Sequence, residues 1–193
     1  MATEIVAMSS ATTDIDGLLV ITTKAVTDER GTVREFFRTS SFGELGVPER
    51  WQQVNMTWTQ RGGVRGLHGE DMTKLVGVAH GEAFGAYVDA RPHSPTYGAV
   101  VTVPLAPGTQ VLVPAGVCNG FQAVSEPGCQ YLYCFDAEWV AGMAGTAINP
   151  LDPALGIAWP IAVDARDPAQ ISAKDAGAPL LAELAELAKL SEV

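Results

Sequence analysis

The chain has 193 residues, enough for one domain with a short appendage. Hydrophobic residues make up 47% and charged residues 18%, so an ordinary globular core can be buried. Twelve Lys and Arg against 22 Asp and Glu leave a net charge of −10, and without a basic cluster to neutralise phosphates the composition argues against nucleic-acid binding. No apolar run reaches bilayer-spanning length, so no membrane association is expected. Met1–Ala11 shows neither the basic nor the apolar part of a signal peptide, so a cytoplasmic protein is expected.

Residues 1–16 are small and polar and read as a flexible N-terminal arm. From Gly17 onward, short apolar runs alternate with Gly and Pro. Strands are expected over Leu18–Thr23 and Thr32–Phe37, with a turn at Asp28-Glu29-Arg30-Gly31. Ser41–Leu45 reads as a helical turn. Gln52–Thr59 alternates as a strand does, with Val54, Met56 and Trp58 on one face. Further strands are expected over Lys74–Ala79, Ala83–Asp89, Ala99–Leu105, Gln110–Pro114, Gly120–Val124 and Cys129–Phe135. Many short strands without a long helix between them predict an antiparallel sandwich or barrel and disfavour a βαβ enzyme. Ala141–Arg166 reads as loop. Leu180, Leu181, Leu184, Leu187 and Ala188 share a helical face. Residues 179–193 are therefore expected as a helix packed outside a domain spanning 17–178.

The three cysteines, Cys118, Cys129 and Cys134, are odd in number and lack CxxC spacing, which reads as free thiols. Of the three histidines, His80 precedes a turn glycine and His93 lies in a Pro-rich loop. Both read as solvated loop residues. Neither forms a ligand pattern with His68, so no metal is expected. His68 ends the run Arg61-Gly62-Gly63-Val64-Arg65-Gly66-Leu67-His68, where glycines allow close backbone approach beside two arginines. By composition alone this is a modest signal, since a lone His is more often structural.

The run Val64-Arg65-Gly66-Leu67-His68 resembles the hallmark of the dTDP-4-dehydrorhamnose 3,5-epimerase family. Further similarity lies in Asp28-Glu29-Arg30-Gly31 with Glu35, in Gln53, Asn55, Thr57 and Thr59, and in Lys74-Leu75-Val76. It continues through Val88-Asp89-Ala90-Arg91, Ser94-Pro95-Thr96-Tyr97-Gly98, Pro114-Ala115-Gly116-Val117 and Gly120-Phe121. Asp152-Pro153, Ile157-Ala158-Trp159-Pro160 and Ser172-Ala173-Lys174-Asp175 complete it. The resemblance implies a mainly β fold, a jelly-roll (cupin-like) antiparallel barrel with a short C-terminal helix, usually a homodimer. It implies a nucleotide-linked 4-keto-6-deoxyhexose as small-molecule substrate and no cofactor. His68 would be the base that removes an acidic proton beside the keto group, Asp175 would orient it, and Lys74 would face the enolate oxygen. Arg65 would grip the diphosphate, with Arg30 reaching in from the partner subunit. Glu35, Gln53, Asn55, Asn119, Tyr133 and Trp139 are the further substrate-binding candidates.

Departures from the family pattern leave a second reading open. Trp139 stands where a Tyr acid is expected, Asn119 replaces a second His, and Gly85 replaces an Asp. An indole N–H cannot act as the acid. If positions 85 and 119 face one pocket, that pocket is roomier and more apolar, and would suit a cyclase, isomerase or dehydratase acting on a polyketide-like intermediate. A binding barrel without catalysis is a third reading, against which the retained His68 and Asp175 stand. The segment Gly69-Glu70-Asp71-Met72 reads as a shortened loop that brings two acidic groups near a diphosphate site.

Overall fold

The computed structural model describes residues 3–191, and the outermost parts of the expected arm and helix, residues 1–2 and 192–193, lie outside the described residues. In chain order the strands are β1 (Glu4–Val6), β2 (Ser9–Thr12), β3 (Leu19–Thr22), β4 (Ala25–Asp28), β5 (Gly31–Arg34), β6 (Gln53–Gln60) and β7 (Val64–Glu70). They continue as β8 (Lys74–His80), β9 (Ala83–Asp89), β10 (Val100–Leu105), β11 (Thr109–Val113), β12 (Val117–Ala123), β13 (Gly128–Phe135) and β14 (Gly145–Ala147). The helices are α1 (Thr39–Gly43), α2 (Ala173–Ala176) and α3 (Leu181–Ser191). Glu4–Val6 and Ser9–Thr12, in the stretch read above as an arm, pair with β4 and β3 respectively.

Among the described residues three antiparallel sheets form, in the orders β1-β4-β5, β10-β9-β12-β7-β14 and β2-β3-β11-β8-β13-β6. The expected jelly-roll barrel is corrected here: among the described residues no sheet closes on itself. The five-stranded sheet ends at β10 and β14, and the six-stranded sheet at β2 and β6. The edges explain the open form. Pro104 in β10 has no N–H to give a further strand, and β14 is only three residues long.

The two larger sheets pack face to face. Val76 and Val78 from β8, Val111 and Val113 from β11, and Tyr131 from β13 meet Tyr87, Val103, Leu105, Val117 and Phe121 from the opposite sheet. The Phe121 and Tyr131 rings stack across the gap with centroids 3.9 Å apart. The outer faces are covered too. Leu67, Ala86, Val88 and Cys118 are buried beneath Ile148 and Leu155, with Leu181 and Leu184 of α3 packed against them. Phe42 and Val47 cover Ile21, Leu75 and Leu112 on the other side. This double covering is why β12 is buried along its whole length and its sequence shows no alternation. Leu180, just before α3, and Leu187 on it stay exposed, and Ala188 lies outside the described side chains. Among the described residues no helix is long and apolar enough to cross a membrane.

One loop is held by charge. Asp89 accepts from Arg91, Ser94 and Thr96. Burial pushes its carboxyl up, but these bonds outweigh it and hold the group well below the usual range. The Ser94–Gly98 segment is a structural knot of this kind.

Candidate active site

The inward face of the sandwich changes character toward one end. On β8 it runs Val78, Val76, then Lys74; on β12 it runs Phe121, then Asn119. Strand β7 completes this polar end because residues two apart share a face, which places His68 and Glu70 side by side. Glu70 is thus the last residue of a strand, not part of a loop. The cavity enclosed there has a volume of about 60 Å³, and Arg65, His68, Glu70, Lys74, Asn119 and Tyr133 line it.

Two glycines set the position of His68. A methyl group on Gly66 would lie 2.6 Å from the Asn119 carbonyl oxygen and 2.7 Å from Gly120 Cα. One on Gly120 would lie 2.5 Å from the Arg65 carbonyl oxygen. Gly66 also has φ +108°, which side chains rarely adopt. Strands β7 and β12, antiparallel neighbours in one sheet, therefore approach closely with no side chains between them here, and the register shifts, with His68 opposite Asn119.

His68 Nε2 lies 2.8 Å from Asp175 Oδ1. An ionised carboxylate only accepts, so Nε2 carries the hydrogen and the Nδ1 lone pair is left to take a proton. Ser172 caps α2 by accepting from the Asp175 backbone N–H at 3.1 Å, which fixes the carboxylate's origin. Burial raises the Asp175 carboxyl, but the hydrogen bond and charge of His68, with smaller help from Ser172 and the Gly66 backbone, bring it below its ordinary value.

The Lys74 side chain is only 4% exposed. Its ammonium donates to Asn119 Oδ1 at 2.8 Å and to the His68 carbonyl at 3.1 Å, and it is ion-paired with Glu70. Arg65 Nε donates to Thr59 Oγ1 at 2.9 Å. Beyond Arg65 a cleft of about 370 Å³ opens, lined among others by Trp58, Gln60, Gln170 and Asp175. Burial pushes the Tyr133 phenol well up, against a smaller opposing effect of Arg65. Among the described residues, no group of three or more His, Cys, Asp or Glu could hold a metal ion.

The remaining expected site residues lie elsewhere. Gln53 Nε2 donates to Asn55 Oδ1 at 3.0 Å, and Gln53 Oε1 accepts from the Trp139 backbone N–H at 2.7 Å. The half-exposed Trp139 does not line the His68 cavity. Arg30 pairs with Asp28 at 2.7 Å and Glu35 with Arg38, both away from that cavity within this chain. Gly85 does not line it either. A methyl there would lie 2.8 Å from the Tyr87 hydroxyl, which occupies the space between the sheets. Positions 85 and 119 therefore do not share one pocket. Glu70 is the residue the sequence reading undervalued; its spacing of two from His68 was the available signal.

A small cavity lined by a carboxylate-held histidine and a buried ammonium is equipment for moving protons next to a carbonyl, and the fold and site define an isomerase of that kind. A family profile for dTDP-4-dehydrorhamnose 3,5-epimerase matches residues 12–183. The dTDP-4-dehydrorhamnose 3,5-epimerase of Salmonella typhimurium is 36% identical over 176 residues, covering 88% of this chain and 93% of that protein. The Legionella pneumophila dTDP-6-deoxy-D-glucose-3,5-epimerase, solved with dTDP-4-keto-L-rhamnose, superposes with a TM-score of 0.81 at 36% identity, covering 92% of this chain and 97% of that one. NovW, a 4-keto-6-deoxy sugar epimerase from the novobiocin gene cluster of Streptomyces spheroides, gives a TM-score of 0.87 at 29% identity, covering 97% and 94%. The chain belongs to the dTDP-4-dehydrorhamnose 3,5-epimerase family and is an epimerase-type isomerase.

Proposed function

We propose that this enzyme inverts carbon next to the keto group of a nucleotide-linked 4-keto-6-deoxyhexose, with His68 as base. The observation that carries the reading is that His68, held by Asp175, lines the same cavity as Lys74. His68 Nδ1 takes the proton from the carbon beside the carbonyl, and the C–H electron pair moves onto the keto oxygen. Asp175 stabilises the imidazolium so formed, and Lys74 stabilises the enolate oxygen. Tyr133 carries a hydroxyl that can return a proton to the carbon, completing inversion when it does so from the other face. Arg65 holds the diphosphate at the mouth of the neighbouring cleft, which has room for the nucleoside.

Two copies assemble, and Arg30 serves the partner's site. Two features support this. The Arg30 side chain is 89% exposed in the single chain. Val54, Met56 and Trp58 present an apolar face on edge strand β6. The reading of an apolar, polyketide-like ligand loses its support, because Gly85 adds no room to the cavity and Arg65, His68, Glu70, Lys74 and Asn119 line it.

The test is incubation with dTDP-4-keto-6-deoxyglucose in D₂O. Deuterium is expected at one or both carbons flanking the keto group, and His68→Ala abolishes the uptake. Absence of deuterium at both carbons overturns the proposal.

A further inference from the structure

The Lys74 ammonium is crowded at rest. Of its three hydrogens, two go to Asn119 Oδ1 and the His68 carbonyl. Glu70 Oε2 is ion-paired with it, although that buried oxygen accepts no hydrogen bond. A keto oxygen entering the cavity needs the remaining hydrogen, beside which the carboxylate stands. Two of the partners are held firmly, since the His68 carbonyl belongs to the backbone of β7 and Asn119 is 5% exposed within β12. Glu70 is different. It ends its strand, and its side chain is 18% exposed against 4% for Lys74. Its Oε2 is held to Lys74 by charge alone, without a hydrogen bond, so it is the partner most easily displaced.

The other titratable groups facing Lys74 do not supply its counter-charge. Burial pushes the Cys118 thiol up to about 12 and keeps it neutral, with Lys74 opposing in smaller measure. Tyr133 on β13 is held protonated by burial. Asp175 on α2 is engaged with His68, and Arg65 on β7 adds a positive charge at the cavity rim. A buried ammonium without a partnered charge is costly.

We propose that Glu70 is a positioning residue for the reaction. It keeps the Lys74 ammonium charged and aimed into the cavity, then gives up its place on the ammonium to the keto oxygen as negative charge develops there. The exchange conserves charge in the cavity: the enolate replaces the carboxylate beside the same cation. Glu70 acts through Lys74 and touches neither the proton in transit nor the carbon that loses it.

The inference rests on the reaction proposed above, and two readouts keep their failures apart. In the solvent-exchange assay, Glu70→Gln slows deuterium uptake by at least about tenfold, and Glu70→Asp recovers part of the loss. In a Lys74→Met background, Glu70→Gln adds nothing further, because a residue acting through Lys74 has nothing left to act on. A second full loss in that background overturns the proposal. Independently of activity, ¹⁵N NMR of the full chain shows a slowly exchanging Lys74 ammonium signal, which disappears in Glu70→Gln and persists in Glu70→Asp. An unchanged signal in Glu70→Gln overturns the proposal. A parent that takes up no deuterium but shows the expected signals overturns the reaction instead and leaves Glu70's hold on Lys74 standing. Removing one partner of a buried pair can unfold a protein, so the double variant Glu70→Gln/Lys74→Met serves as control. It regains the melting temperature lost in either single variant; if it stays as unstable as they are, the pairing is refuted.

Discussion

Replacing Asp175 with Asn keeps the shape of the side chain and one acceptor oxygen, but removes the charge beside His68. The altered contact is the 2.8 Å bond from Nε2, made by a carboxylate only 9% exposed. A hydrogen bond to a charged group is worth about 1.5–3 kcal/mol. The imidazolium formed when His68 takes the proton loses stabilisation of that order. At 1.4 kcal/mol per decade, exchange slows by about ten- to a hundredfold. KM changes little, because Asp175 meets the substrate through His68. The assay is deuterium uptake across a range of substrate concentrations, with thermal melting against pH in parallel. The folded Asp175 carboxyl lies below its unfolded value, so its contribution to stability is fully present above about pH 4 and is lost as pH falls through the folded value. The Asn variant therefore loses less stability than the parent on acidification below about pH 4. An unchanged exchange rate refutes the pairing of His68 and Asp175 as a catalytic unit.

Gly66→Ala drives a methyl into the backbone of β12 at a positive φ, and a loss of about 2–4 kcal/mol is expected in denaturant titration, with activity falling alongside. Gly85→Asp places a carboxylate against the Tyr87 hydroxyl and Leu105. It costs about 3 kcal/mol or more by melting and brings no gain in exchange rate. Met56→Lys puts a charge in the middle of the apolar face of β6. Sedimentation analysis is expected to show a shift from dimer to monomer, and an unchanged mass at all concentrations removes that face from the interface.

Strand positions were legible wherever alternation or bounding turns survived. Ala83–Asp89 is found with the expected limits, and Lys74–Ala79 and Cys129–Phe135 shift by a single residue. What the pattern could not show was closure. Whether β10 and β14 meet depends on long-range geometry at the sheet edges, and alternation along a strand is the same in a sandwich and in a barrel. The short strand β2 has no large apolar residue and Ile5 and Val6 of β1 stay exposed, so neither shows a buried face and tertiary pairing creates both. The apolar residues of β6 show the limit from the other side. Their alternation was read correctly, but the apolar face proves to be the exposed one, which intrachain burial cannot explain.

The site was legible in the same uneven way. His68, Lys74, Asp175, Arg65, Asn119 and Tyr133 could be named from local motifs, yet their roles depend on who meets whom, and that is decided by the pairing of β7 with β12. The close approach of the two strands needs Gly66 and Gly120, which in a sequence look like ordinary turn glycines. Once β7 is seen to continue past this contact to residue 70, the acidic group that looked misplaced beside a diphosphate becomes the counter-ion of a buried lysine. The absent His and the added Glu then belong to one change. Asn119 supplies a neutral acceptor and Glu70 a counter-charge to the same ammonium, so the enzyme holds its electrophile beside a carboxylate that an enolate can displace.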